Sequence, residues 1–304
     1  MTKTSVSFDS VGLTLAGDLY IPDAPAGGPL PAIVVGHPGG GVKEQTAGLY
    51  ARKLSEKGFV TLAFDAAYQG ESGGEPRGLE DPAHRVEDLK AAVSFLTGRP
   101  EVEADRIGEL GICAGGGYAL AAAASDPRVQ AVATVSAADL ARHFKHGGDG
   151  TQDPAVFRQL LDAASRARTS EARGETVTPL HLIPDTEAEA RAHGGEYGAE
   201  GWEYYRTARG HHPRQADFFV WPSIDKLAIF DAFTALPLLA DRPALLLAGT
   251  RAVTAWMSIE AYRMIQGPKE LHWIDGASHT DLYDKPRYVD PAVARLAGFF
   301  GTHL

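Results

Sequence analysis

Residues 111–120 read GICAGGGYAL, and this stretch decides the fold. The run RIGELGIC ends at Cys113 and has the apolar pattern of a buried strand, while AGGGYALAAAAS directly after it predicts a helix. A nucleophile on a sharp strand-to-helix turn needs glycine-sized neighbours two positions away on either side. Gly111, Cys113 and Gly115 meet that requirement. The pattern therefore predicts that Cys113, the only cysteine of the chain, is a nucleophile.

Two other interpretations of the same stretch remain open. A lone cysteine is often a small buried residue that fills space in the core. Gly111, Gly115 and Gly117 also resemble a dinucleotide-binding loop, with Asp139 in the place of its acidic residue, which would make the protein an NAD(P)-dependent oxidoreductase. Such a loop follows the first strand of its unit, whereas two strand–helix units precede this one. That order favours the nucleophile.

Strands and helices alternate on both sides of residues 111–120. After two alternating N-terminal strands come short apolar runs of the kind buried in parallel sheets: PAIVVGH (31–37), VTLAFD (60–65), VQAVATVS (129–136), PALLLAGT (243–250) and KELHWID (269–275). Helical patterns separate them, which predicts an α/β fold with a mostly parallel sheet. The alternation stops between residues 140 and 240. We therefore predict a core of residues 1–139 and 241–304 and an inserted, mostly helical lid of residues 140–240.

Composition narrows the class of protein. The 304 residues carry a net charge of −10, which disfavours nucleic acids and anionic membranes as partners. A single cysteine fits a reducing compartment, and neither a signal peptide nor an apolar run of about 20 residues is visible. We expect a cytoplasmic protein with a small-molecule acyl substrate and with neither metal nor cofactor. Monomer and homodimer both stay open.

Two further segments carry candidate catalytic groups. GHPGGG (36–41) follows an early strand, where a hydrolase needs a second donor for the oxyanion. Pro38 has no N–H, so we predict that Gly39 donates together with the N–H of Ala114. DGASHTDLYD (275–284) follows the last strand, and its position makes His279 the predicted base.

The acidic partner of His279 is not evident. The loop after PALLLAGT reads RAVTA (251–255) and contains no carboxylate. Asp139 is the best placed candidate, although it equally fits a helix N-cap, and Glu260 and Asp281 are the others. A cysteine tolerates a missing acid, because a thiolate–imidazolium pair can form without a third group.

Aromatic residues suggest a substrate pocket. Tyr68 follows the second parallel strand, and Trp202, Tyr204 and Tyr205 lie in the insertion, where they could line a pocket. Packing inside the lid is the alternative explanation for the aromatic residues of the insertion.

Four segments resemble those of a known family: PAIVVGHPGGG, LAFDAAYQGESGGEPRG, GICAGGGYALAAAA and IDGASHTDLYD. That family is the dienelactone-hydrolase-like group of α/β-hydrolases. The resemblance implies an eight-stranded, mostly parallel sheet, a Cys113–His279 pair with an acid, and an oxyanion hole from Gly39 and Ala114. The chain departs from the group at Val253, near the usual position of the acid.

The first hypothesis is a cysteine-dependent acyl hydrolase or acyl transferase for a small ester, lactone or thioester. Intramolecular cyclisation would compete with hydrolysis if the lid excludes water. The departure at Val253 motivates the alternative of a non-catalytic small-molecule-binding protein on a hydrolase scaffold.

Overall fold

A computed structural model describes residues 1–23 and 28–304. Its strands are β1 (Thr2–Ser10), β2 (Leu13–Ile21), β3 (Leu30–Gly36), β4 (Val60–Phe64), β5 (Val102–Ile112), β6 (Val129–Val135), β7 (Leu180–His181), β8 (Phe218–Phe219), β9 (Ala244–Gly249) and β10 (Lys269–Ile274). Eight of them form one sheet in the order β1-β2-β4-β3-β5-β6-β9-β10. β1 pairs antiparallel with β2, β2 pairs antiparallel with β4, and the last six strands in this order, from β4 to β10, are mutually parallel. The mostly parallel eight-stranded sheet predicted from the sequence is confirmed.

The helices are α1 (Thr46–Ser55), α2 (Pro82–Thr97), α3 (Ala114–Ser125), α4 (Leu140–His146), α5 (Pro154–Ala172), α6 (Glu187–Arg206), α7 (Pro222–Ala228), α8 (Ala255–Met264), α9 (Asp281–Asp284) and α10 (Pro286–His303). Residues of α1 and α10 pack on one face of the sheet, and residues of α2, α3 and α8 pack on the other. Both faces are therefore covered, which explains why every residue of β4 is buried.

The chain between β6 and β9 departs from the strand–helix alternation. It holds α4 to α7, a 3-10 helix (Ala232–Leu239) and the short antiparallel pair β7–β8. Helix α6 is broken at Gly195, whose φ of 59° is outside the helical region. The limits of a separate lid, 140–240, stay a prediction. Within residues 1–23 and 28–304, no helix has both the length and the apolar character needed to cross a membrane.

Candidate active site

Cys113 occupies the sharp turn between β5 and α3. Its backbone has φ 54° and ψ −122°, a conformation that costs a non-glycine residue roughly 1–3 kcal/mol. The carbonyl of Cys113 accepts hydrogen bonds from the N–H groups of Gly116 (2.8 Å) and Ala138 (2.9 Å). These bonds hold the turn and leave the side chain partly exposed.

The neighbouring glycines are required for backbone packing. A Cβ atom at Gly115 would lie 2.5 Å from the carbonyl oxygen of Gly36, at the end of β3. A Cβ at Gly111 would overlap the carbonyl of Gly115 itself. Backbone atoms thus fill the space beside these glycines, which disfavours the dinucleotide-loop interpretation.

The surroundings of the Cys113 sulfur include the two predicted backbone donors. Burial raises the pKa of the thiol above its usual range. The Tyr283 hydroxyl and the N–H groups of Ala114 and Gly39 lie against the sulfur and oppose that shift in pKa. The structure thus brings Cys113, Gly39 and Ala114 together. Since the net shift is upward, the thiol is the resting form at neutral pH, and the thiolate of a thiolate–imidazolium pair is not favoured.

His279 lies in the loop between β10 and α9 and is buried. Its Nε2 is 3.0 Å from the hydroxyl oxygen of Tyr283, and its Nδ1 is 2.5 Å from Oγ1 of Thr254. Burial, together with the nearby His143, lowers the pKa of His279 to about 3. The imidazole is therefore neutral at pH 7, and the predicted thiolate–imidazolium pair gives way to a neutral thiol and a neutral imidazole.

Thr254 occupies the side of His279 where an acidic partner was expected. It is the last residue before α8, in the loop after β9, and its side chain is buried against the imidazole. Val253, one residue earlier, is 42% exposed and lines the cavity instead. A hydroxyl thus takes the place of the carboxylate.

The structure does not bring Asp139 to His279. One carboxylate oxygen of Asp139 accepts from the N–H of Ala141 (2.8 Å), which caps α4, and the other accepts from the N–H of Ala232 (2.8 Å). Asp139 is therefore the N-cap of α4, which is the alternative that the sequence left open for this residue. Burial raises the pKa of Asp139 to about 6.

The other two candidate acids have different partners as well. Glu260 pairs with Arg142 at 2.8 Å. Asp281 accepts from the N–H of Ser278 at 3.0 Å and pairs with Lys285 at 2.6 Å. Within residues 1–23 and 28–304, no carboxylate forms a hydrogen bond to His279.

Tyr283, which sequence reasoning did not single out, completes the cluster. It lies on α9, four residues after His279, and its ring is 5.5 Å from the imidazole. The rings of Tyr204 and Tyr205 also pack against it, at 5.0 Å and 6.5 Å. His279 precedes this four-residue helix, so no helical periodicity in the sequence relates it to Tyr283.

A cavity of about 1320 Å³ lies over Cys113. Gly39, His279 and Tyr283 line it from the sheet side, and residues of α4, α5 and α6 line it from the insertion. Tyr197, just beyond the break in α6, places its ring 5.3 Å from that of His279. Gly39, Cys113, His279 and Tyr283 therefore line one cavity between the core and the insertion.

Of the four predicted pocket residues, only Tyr205 lines this cavity. Tyr204 is buried and packs edge-to-face against Tyr205, with the ring centroids 4.8 Å apart. Trp202 donates its indole N–H to the carbonyl of Asp185. Tyr68 packs its ring on His84 at 5.3 Å, outside the cavity lining.

Residues 11–281 match the family described as X-Pro dipeptidyl-peptidase (S15 family). The chain belongs to this family. It is 43% identical to the uncharacterized protein YcjY of Escherichia coli over 274 residues, which are 90% of this chain and 89% of that protein. The crystal structure of the hypothetical protein PA2218 from Pseudomonas aeruginosa, 38% identical, has a TM-score of 0.91 and covers 100% of this chain and 94% of that one.

Two more distant proteins carry functional descriptions. The acyltransferase drtE of Aspergillus calidoustus is 27% identical over 89% of this chain and 86% of its own length. The α/β hydrolase GrgF from Penicillium sp. has a TM-score of 0.85 at 24% identity, over 100% of this chain and 99% of that one. The α/β-hydrolase fold predicted from the motifs is confirmed. This chain, as a member of the S15 family, is accordingly a hydrolase or acyl transferase.

Proposed function

We propose that this protein is a cysteine-dependent acyl hydrolase or acyl transferase for small esters, lactones or thioesters, with Cys113 as the nucleophile. One observation carries the proposal: the Cys113 sulfur faces the N–H groups of Gly39 and Ala114 at the floor of a large cavity. Two converging backbone donors are what a tetrahedral acyl intermediate requires. The acyltransferase drtE supports the same class of chemistry.

In the first step, Sγ of Cys113 bonds to the carbonyl carbon while the thiol loses its proton and His279 gains a proton at Nε2. The carbonyl oxygen becomes an oxyanion, held by the N–H groups of Gly39 and Ala114. When the intermediate collapses, the bond from carbon to the leaving oxygen or sulfur breaks, and that atom takes the proton from His279. The product is an acyl-Cys113 thioester and a free alcohol or thiol.

In the second step, His279 removes a proton from the acceptor as the acceptor attacks the thioester. Water as acceptor gives hydrolysis, an external alcohol or thiol gives transfer, and a hydroxyl of the acyl group gives cyclisation. Tyr197 covers His279 from the insertion side, which supports limited access of water. Amides are poorer substrates, because the thiolate leaves the tetrahedral intermediate more easily than an amine.

The test uses neutral acyl N-acetylcysteamine thioesters and the corresponding oxygen esters. Intact-mass measurement of the protein after brief exposure should show one acyl group, mapped to Cys113 by peptide digestion, and released thiol should appear with turnover. Cys113→Ala should show neither. Cys113→Ser is the matched control, since it replaces the thiol by a hydroxyl nucleophile in the same turn.

Absence of both adduct and turnover across esters, lactones and thioesters would contradict the proposal. That result would favour the non-catalytic binding protein. Equal turnover by Cys113→Ala and the parent would exclude Cys113 as the nucleophile.

A further inference from the structure

Tyr283 stands between the two groups that must exchange a proton. Its hydroxyl oxygen is 3.0 Å from Nε2 of His279, and the same hydroxyl lies against the sulfur of Cys113. In the part of the chain that the structure describes, no hydrogen bond joins Cys113 directly to His279. The proton therefore needs a path, and the Tyr283 hydroxyl lies on it.

The direction of that path follows from the other nitrogen of His279. A neutral imidazole has one N–H and one lone pair. Oγ1 of Thr254, 2.5 Å from Nδ1, can accept the N–H, which leaves the lone pair on Nε2. The Tyr283 hydroxyl then donates to Nε2, and its oxygen lone pairs remain free to accept the proton of the Cys113 thiol.

We propose that Tyr283 is a catalytic residue that relays the proton between Cys113 and His279. As Sγ bonds to the substrate carbonyl carbon, the thiol proton passes to the Tyr283 oxygen and the original hydroxyl proton passes to Nε2. Tyr283 ends the step neutral and His279 ends it as imidazolium. The reverse transfer delivers a proton through Tyr283 to the leaving oxygen or sulfur.

The surroundings of Tyr283 suit a relay. Burial and the nearby Cys113 raise the pKa of the phenol, so it stays neutral and passes a proton without becoming a phenolate. Helix α9 is fixed through Arg209, which pairs with Asp284 at 2.8 Å and donates to the carbonyl of Thr280 at 2.7 Å. The hydroxyl is thereby held in one position.

This inference rests on the proposed function, and its first test measures the acylation of Cys113 in Tyr283→Phe. We expect kcat to fall by about a hundredfold, the lower end of the range for positioned acid–base groups, with little change in KM. In mixtures of H2O and D2O, the parent should give a curved proton inventory, since two protons move together. Tyr283→Phe should give a linear one.

Tyr50→Phe is the matched control. It removes another buried tyrosine hydroxyl bound to α9, but one that has no contact with Cys113. We expect its kcat to stay within about twofold of the parent value, with a curved inventory. If Tyr50→Phe loses as much activity as Tyr283→Phe, the loss reflects the placement of α9 and the relay is wrong.

Two measurements keep the inference testable apart from turnover or folding. Alkylation of Cys113 by iodoacetamide at pH 8 should be slower in Tyr283→Phe, because the thiolate loses a hydrogen-bond donor. Site-specific 3-fluorotyrosine at position 283 keeps the ring and the hydroxyl but makes the hydroxyl more acidic, and kcat should change. Unchanged kcat in both replacements overturns the relay while Cys113 stays the nucleophile. Failure of the parent to acylate at Cys113 overturns the proposed function and the relay together.

Discussion

Replacing Thr254 by valine tests whether a hydroxyl can serve where an acid was expected. Valine matches threonine in shape but cannot accept the hydrogen bond from Nδ1 of His279. Both side chains are 1% exposed, so no solvent is available to replace the lost partner. In the tautomer inferred above, with the proton on Nδ1, Thr254→Val leaves a buried N–H unsatisfied and removes the contact that fixes that tautomer.

The expected magnitude follows from that burial. Leaving a buried donor without its partner costs about 1–3 kcal/mol. If the whole cost appears in the acylation barrier, the rate falls by about 5- to 150-fold, since 1.36 kcal/mol corresponds to a factor of ten. The same energy in folding lowers the melting temperature by several degrees.

The assay is single-turnover acylation of Cys113 at pH 7, paired with calorimetric melting. Thr254→Ser is the control, because it keeps the hydroxyl, and we expect its acylation rate within about twofold of the parent. Thr254→Val that melts lower yet acylates as fast as the parent would show that Thr254 only supports the fold. No change in either measurement would refute the reasoning altogether.

Three further outcomes are expected. The pKa values of His279 (about 3) and His143 (about 4) lie below the ordinary 6.5, so the unfolded chain binds protons that the folded one does not. The urea midpoint should therefore fall as the pH drops from 6.5 towards 4, and a flat profile would contradict the neutral imidazoles. Asp139, with a folded pKa of about 6 against 3.8, has the opposite sign, so Asp139→Asn should steepen the fall. The same variant should acylate within about threefold of the parent, whereas a hundredfold loss would restore Asp139 as the acid. Carboxylates line the cavity, and among the described residues no lysine or arginine does. Because acyl-CoA is an anion, it should react more slowly than the neutral N-acetylcysteamine thioester, and the difference in kcat/KM should narrow as salt is added. Equal kcat/KM at low salt would be evidence against that selectivity. The charged lining residues are Asp149, Asp153, Asp185, Glu189 and Glu196.

The parts of the site that follow strand ends could be predicted from the sequence. Gly39, Cys113 and His279 come after β3, β5 and β10, and the carboxyl ends of parallel strands meet at one edge of the sheet. The residue types at those positions also indicate their chemistry, since a thiol, a glycine turn and an imidazole each suit one step of acyl transfer. Ala114 could be predicted as an oxyanion donor for a related reason, because it directly follows the proposed nucleophile in the strand-to-helix turn.

Thr254 and Tyr283 were missed because their contacts with His279 depend on how two helices begin. The start of α8 at Ala255 turns Thr254 inward and Val253 outward. The hydropathy of RAVTA does not predict this, because it favours burial of the valine over the threonine. Helix α9 has only four residues, too few for a periodic pattern, so the contact between Tyr283 and His279 could not be predicted. Which aromatic residues line the cavity depends on long-range packing of the chain, which explains why only Tyr205 of the four predicted residues does so.

A neutral thiol beside a neutral imidazole changes what a cysteine contributes on the proposed mechanism. Cys113 has no preformed thiolate, so its deprotonation must accompany attack on the carbonyl, as it does for a serine nucleophile. The raised thiol pKa also slows reaction with adventitious electrophiles, because the thiolate is the reactive form. What distinguishes cysteine then is the intermediate, since an acyl thioester transfers its acyl group more readily than an oxygen ester does. That advantage is greatest where the second step must deliver the acyl group to an acceptor that competes with water, which favours transfer or cyclisation over simple hydrolysis.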